Sequence, residues 1–161
     1  MVTLKISSPR IDLRLDTHQE MIALLNQQLA DTIDLYSQTK QMHRKVKGPQ
    51  FHQLHELFNK LAEKLADFVD LIAERVTALG GTATARMAPS ASRLPEFPPE
   101  AIDCLLYVQA LATRYASLAA STRAAIETAA QNGDLGTSDL LTEVSRELDK
   151  ALWFLEGYLN R

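Results

Sequence analysis

Four side chains have the types and order of an iron-binding set: His43, His55, Asp70 and Glu74. Neutral imidazole nitrogen and hard carboxylate oxygen together suit Fe(II) and Fe(III), and leave coordination positions open to an oxidant. Three of the four fall in one stretch, Gln50 to Leu79, that contains neither Gly nor Pro. Wound at about 100° per residue, that stretch gathers Leu54, Leu57, Phe58, Leu61, Leu65, Phe68, Ile72, Val76 and Leu79 on one side. His52, His55, Asn59, Asp70 and Glu74 gather on the other, beside a strip of Ala62, Ala66 and Ala73. The types fit a metal, but along one helix His55 and Asp70 stand about 22 Å apart. A second copy of the helix, running antiparallel about a two-fold axis and crossing near Ala62 to Ala66, removes that separation. His55 then lies beside Asp70 and Glu74 of the partner subunit, and His43 joins His55 from its own chain. The expectation is a metal site between subunits, which a fully metallated, active monomer would rule out.

The elements that must position these residues are helices. All six Gly and all six Pro lie outside four stretches, Arg10 to Lys47, Gln50 to Leu79, Glu100 to Asn132 and Thr137 to Glu156, and both residue types are poor in helix interiors. In the first stretch Ile22, Leu25, Leu29, Ile33 and Tyr36 recur at steps of three and four, and Thr17-His18-Gln19-Glu20 has the form of a capping box. A helix is predicted from Thr17 to Val46. The second follows Gly48-Pro49 and stops at Gly80-Gly81. The third follows Pro98-Pro99, since Pro in a first turn forfeits no hydrogen bond, and runs toward Gly133. The fourth starts near Thr137 and Ser138 and buries Leu141, Val144, Leu148, Leu152 and Leu155. Gly80 to Pro99 is long for a helix connection; it is expected to cross the whole bundle and carry a short helix. Two short turns and one long crossover describe an all-α, ferritin-like four-helix bundle. Residues 1–161 read as one domain with a short N-terminal tail over 1–15. The Glu-x-x-His repeats that build a metal site inside one such bundle are absent, which favours the interface.

Composition excludes other classes. The chain has 161 residues, 46% hydrophobic and 23% charged, with formal net charge −3. Its longest apolar runs are too short to span a bilayer. Residues Met1 to Arg10 lack the apolar core of a secretory signal, and one Cys builds no disulfide framework. A cytoplasmic location, with nucleoid association as an option, is the expectation. A pI near 5.8 leaves no global basic field for nucleic acid.

Lys40-Gln41-Met42-His43, Val46-Lys47-Gly48-Pro49, Leu54-His55-Glu56-Leu57-Phe58 and Asp70-Leu71-Ile72-Ala73-Glu74-Arg75 up to Gly80-Gly81 resemble the Dps family, the DNA-binding proteins from starved cells or miniferritins. The likeness continues through Ser92-Arg93-Leu94-Pro95, Asp139-Leu140-Leu141-Thr142 and Leu152-Trp153-Phe154-Leu155-Glu156, over almost the whole chain. The resemblance implies a hollow dodecameric cage. It implies oxidation of Fe(II), by hydrogen peroxide in preference to oxygen, storage of the ferric mineral, and protection from oxidative damage. By position, His43 and His55 would be ligands from one subunit, with Asp70 and Glu74 from its two-fold mate.

The sequence departs from the family where an Asp usually follows the second His by one turn: here stands Asn59. His52, nearly one turn before His55 on the same face, is the expected replacement ligand. The usual Trp-Asn after the first His is Arg44-Lys45, and Trp153, the only Trp, is expected to pack. His18 is expected to be solvated and Cys104 to be a small buried residue. Resemblance places negative three-fold pores at the start of the last helix, where Asp134, Asp139 and Glu143 stand; the plainer reading makes Asp139 a favourable charge at a helix start and Asp134 a turn residue. DNA binding through Lys5, Arg10, Arg14 and Arg161 is expected to be weak or absent, because so few charges lose phosphate affinity steeply with salt. Two rival functions remain: a nucleoid protein that coats DNA, and a cage with weak ferroxidase activity that binds another metal such as zinc, which accepts and competes for the same ligands.

Overall fold

Four helices carry the chain: α1 (Leu15–Lys45), α2 (Phe51–Ala78), α3 (Cys104–Gln131) and α4 (Leu135–Leu159). The computed structural model describes residues 8–84, 91–99 and 103–160, and no strand occurs among them. α1 packs chiefly on α2 and α3 on α4, two hairpins whose apolar faces meet. Leu54, Phe58, Leu65, Tyr107, Leu111 and Leu148 form one half of the core; Met21, Leu25, Leu29, Ile72, Val76 and Leu141 form the other. Each such side chain taken from water contributes about 1.5–3 kcal/mol. This burial holds helices whose α1–α2 turn then fixes the site.

The helix ends differ from the sequence reading in instructive ways. No capping box forms at Thr17, because α1 starts at Leu15 and Thr17 is buried inside its first turn. The Thr17 amide donates instead to Asp16 Oδ1 at 2.9 Å, an acid placed where the helix dipole favours one. α3 starts at Cys104, not after Pro98-Pro99, because Asp103 accepts from the Leu105 amide at 2.9 Å and caps it. α4 starts at Leu135, ahead of the predicted Thr137, because Asp134 is its N-cap and accepts from the Thr137 amide at 3.0 Å. Gly133, at φ +79°, makes the left-handed step out of α3 that brings Asp134 there.

The crossover is tied to the bundle by buried polar groups. Asp31, on α1, accepts from the Arg93 guanidinium at 2.6 and 2.9 Å and from the Arg93 amide at 2.8 Å. Gln38 donates to the Pro95 carbonyl at 2.9 Å and accepts from Arg114 Nε at 2.6 Å, while Arg114 also donates to the Glu96 carbonyl. Of the short helix expected in the crossover the described residues hold only Ala91, in 3-10 conformation; 85–90 and 100–102 lie outside them.

The N-terminal segment is not a free tail where it is described. Ile11 and Leu13 pack against the core. His18 is buried rather than solvated, with Nδ1 3.0 Å from the Leu79 carbonyl and Nε2 3.3 Å from the Ile11 carbonyl. Its imidazole links the segment to the end of α2. No helix among the described residues is long and apolar enough to cross a membrane.

Candidate metal centre

α1 ends at Lys45, so the carbonyls of its last turn lack partners further along the helix. One of them, on His43, lies 2.9 Å from His55 Nδ1, and His43 Nδ1 lies 2.7 Å from the His55 carbonyl. A carbonyl can only accept, so both Nδ1 atoms carry the hydrogen and both Nε2 atoms keep a lone pair. The rings stack with centroids 3.8 Å apart and 21° between planes, and Phe51 tilts against His55 at 5.2 Å. The Gly48-Pro49 turn makes this exchange possible by returning the chain at once into α2; Gly48 takes φ +105°.

The two imidazoles open onto a cleft of about 470 Å³ lined also by Glu56, Asn59, Lys60 and Glu63. Asn59 bridges two charges there. Its Oδ1 accepts from Lys40 Nζ at 3.1 Å and its Nδ2 donates to Glu63 Oε1 at 2.8 Å. Lys40 and Glu63 thus belong to the site, although only Asn59 stood out in the sequence. The signal available was spacing: Lys40 precedes His43 by three residues and Glu63 follows Asn59 by four.

Other candidates are not brought to the cleft. His52 Nε2 faces Glu56 Oε1 at 3.4 Å with 78% of its side chain exposed, and it does not line the cleft. The suspected replacement ligand is therefore directed to solvent by its place in the first turn of α2. Asp70 and Glu74 are exposed further along α2 and make no ion pair among the described residues. Within one protomer, no three or more His, Cys, Asp or Glu side chains converge on a metal position among the described residues. Of the small-residue strip, Ala62 is fully covered by its own bundle, leaving Ala66 and Ala73 half-buried.

The acidic set at the start of α4 divides. Asp139 and Glu143 are exposed. Asp134 is buried and holds Arg75 NH2 at 2.8 Å, so it is a structural cap and neither a turn decoration nor a free carboxylate. Burial alone would push its carboxyl up, but the Thr137 hydroxyl and amide and the Arg75 guanidinium outweigh that and hold it below the usual range. A Cβ at Gly136 would come within 2.9 Å of the Arg75 guanidinium, so the glycine clears its path. Trp153, expected to pack, is 67% exposed and touches Phe154 at 5.1 Å between ring centroids. Cys104 is buried as expected. Lys45 sets its ammonium 5.6 Å from the Phe97 ring centroid. Lys5 and Arg161 lie outside the described residues, and Arg14 is paired with Asp16 at 3.0 Å.

The ferritin-like domain family matches residues 22–161. A DNA protection during starvation protein from Agrobacterium fabrum is 39% identical, over 98% of this chain and 98% of its own length. The chain belongs to the Dps family of ferritin-like proteins. Among solved Dps structures, DpsC from Streptomyces coelicolor matches with a TM-score of 0.91 at 29% identity, covering 99% of this chain and 97% of that one. The Dps protein of Vibrio cholerae O1, described as a member of a broad superfamily of ferritin-like diiron-carboxylate proteins, matches at 0.87 and 26% identity, over 96% of this chain and 98% of that one. Membership of the Dps family agrees with the four-helix bundle.

Proposed function

We propose that this Dps-family chain is a ferroxidase and iron store whose reaction sites lie at two-fold interfaces of a closed, dodecameric homo-oligomer. The observation that carries the reading is the locked histidine pair. Two imidazoles fixed in one tautomer, with both Nε2 lone pairs free, offer Fe(II) a preorganised half-site, and a carbonyl behind each ring raises its basicity as a ligand. The half-site lacks negative charge, which Asp70 and Glu74 of the partner subunit supply when two α2 helices cross antiparallel near Ala66.

Fe(II) is the substrate and hydrogen peroxide, or oxygen, the oxidant. Two ferrous ions each give one electron to one peroxide, whose oxygen–oxygen bond breaks; with two protons taken up it leaves as two waters. Passing both electrons at paired ions avoids releasing a hydroxyl radical, so storage and protection are one chemistry. Asp139 and Glu143, exposed on the first turns of α4, draw cations to the cage entrance, and Asp134 takes no part. Zinc competes for the same ligands but cannot be oxidised. DNA contact is weak or absent, and the site of action is the cytoplasm.

Mixing two inactive variants tests the shared site. Cages made only of His55→Ala or only of Glu74→Gln subunits should oxidise no faster than buffer. Dissociated and reassembled together in equal amounts, they should regain about a quarter of wild-type oxidation, because half the dimers are mixed and each has one intact site. No recovery in mixed cages of full mass overturns the interface, and unimpaired single variants overturn the ligand assignment.

A further inference from the structure

We infer that Glu63, held in place by Asn59, supplies the second-ion carboxylate of this centre. The inference rests on the reading of the His43/His55 cleft as an iron site and adds a ligand to it. The Asn amide accepts through its oxygen and donates through its nitrogen, whereas an ionised Asp in its place could only accept. Lys40 can only donate, so it takes Asn59 Oδ1 at 3.1 Å and turns Nδ2 toward Glu63 Oε1 at 2.8 Å. An Asp at 59 would pair with Lys40 but repel Glu63. The neutral residue at 59 and the acid at 63 are therefore a matched pair: the charge absent at one position appears one turn later, inside the same cleft as the two imidazoles. A Glu side chain on a helix leans toward the N-terminus, which carries the Glu63 carboxylate back over Asn59 and toward His55. The cleft's other carboxylate, Glu56, faces His52 at 3.4 Å. Glu63 Oε2 has no hydrogen bond among the described residues and is free to meet a hard cation.

The test is anaerobic calorimetric titration of the assembled protein with Fe(II). Wild type should take up two ions per protomer, and His55→Ala should lose both. Glu63→Gln should keep the first ion and weaken the second by at least about tenfold. Asn59→Asp, placed in the Glu63→Gln background, should restore the second ion. If Glu63→Gln matches wild type in stoichiometry and affinity while His55→Ala loses binding, the Glu63 assignment falls and the histidine site stands. If wild type binds no more Fe(II) than His55→Ala does, the iron site itself falls. Light scattering confirms that each variant assembles, and the rescue by Asn59→Asp separates lost coordination from local misfolding.

Discussion

His55 Nδ1 closes the end of α1 through the His43 carbonyl, which leaves Nε2 as the atom proposed to meet a metal. His55→Ala is therefore expected to lose Fe(II) binding and to loosen the α1–α2 turn, read by calorimetry and by amide exchange near Val46. His52→Ala should leave Fe(II) uptake and oxidation unchanged, since His52 is solvent-directed beside Glu56; a tenfold loss in that variant would return it to the ligand set. At this scale the sequence revealed residue types but not directions. His52 and His55 differ by three positions, and only the contact with α1 distinguishes the ring that is locked from the ring that is free. Lys40 and Glu63 stayed hidden because their roles are bonds to Asn59, and neither residue type is unusual on a helix surface.

Arg75 reaches from α2 to Asp134 and Thr137 at the start of α4, joining the two hairpins at the end of the bundle remote from His43 and His55. Asp134→Asn should cost about 1.5–3 kcal/mol at neutral pH by leaving the partly exposed Arg75 charge short of a partner. The Asp134 carboxyl is held below its ordinary range when folded. Its contribution is thus complete above the unfolded value near pH 4 and disappears as pH falls through the lower folded value. Thermal unfolding of wild type and variant should converge in that acid range; a gap constant from pH 7 to pH 3 would assign the cost to shape alone. The element ends that sequence reading misplaced share one cause. Thr17, Pro99 and Thr137 are all acceptable helix starters, but a nearby acid took the free amide instead: Asp16 that of Thr17, Asp103 that of Leu105 and Asp134 that of Thr137, and of the three acids Asp134 is also held from another helix, by Arg75.

One protomer leaves Trp153, Leu135 and Phe51 exposed. Particle mass is the measurement that belongs to this scale. Ala66→Arg, placed where two α2 helices are proposed to cross, should reduce a dodecamer to small species and abolish oxidation together; full-rate oxidation by a monomeric species would sink the shared site. Asp139→Asn with Glu143→Gln should leave the mass unchanged and slow Fe(II) uptake several-fold at low ionic strength, with the difference shrinking as salt screens the field. An equal rate in both proteins would return Asp139 to a helix-dipole role. DNA mobility shifts, if seen at low salt, should vanish at moderate salt.

The sequence by itself determined the helices, their order and the core faces. These follow from periodicity and from residues barred from helix interiors, which are local properties. It also carried a family pattern over nearly the whole chain, on which the proposed ligands rest. Only the tertiary structure decided that His43 and His55 exchange hydrogen bonds, that Asp134 is consumed by Arg75, and that Asn59 joins Lys40 to Glu63. Each of those is a contact between groups on different elements or a competition among several partners for one polar atom, and its outcome depends on distances that no spacing along the chain encodes.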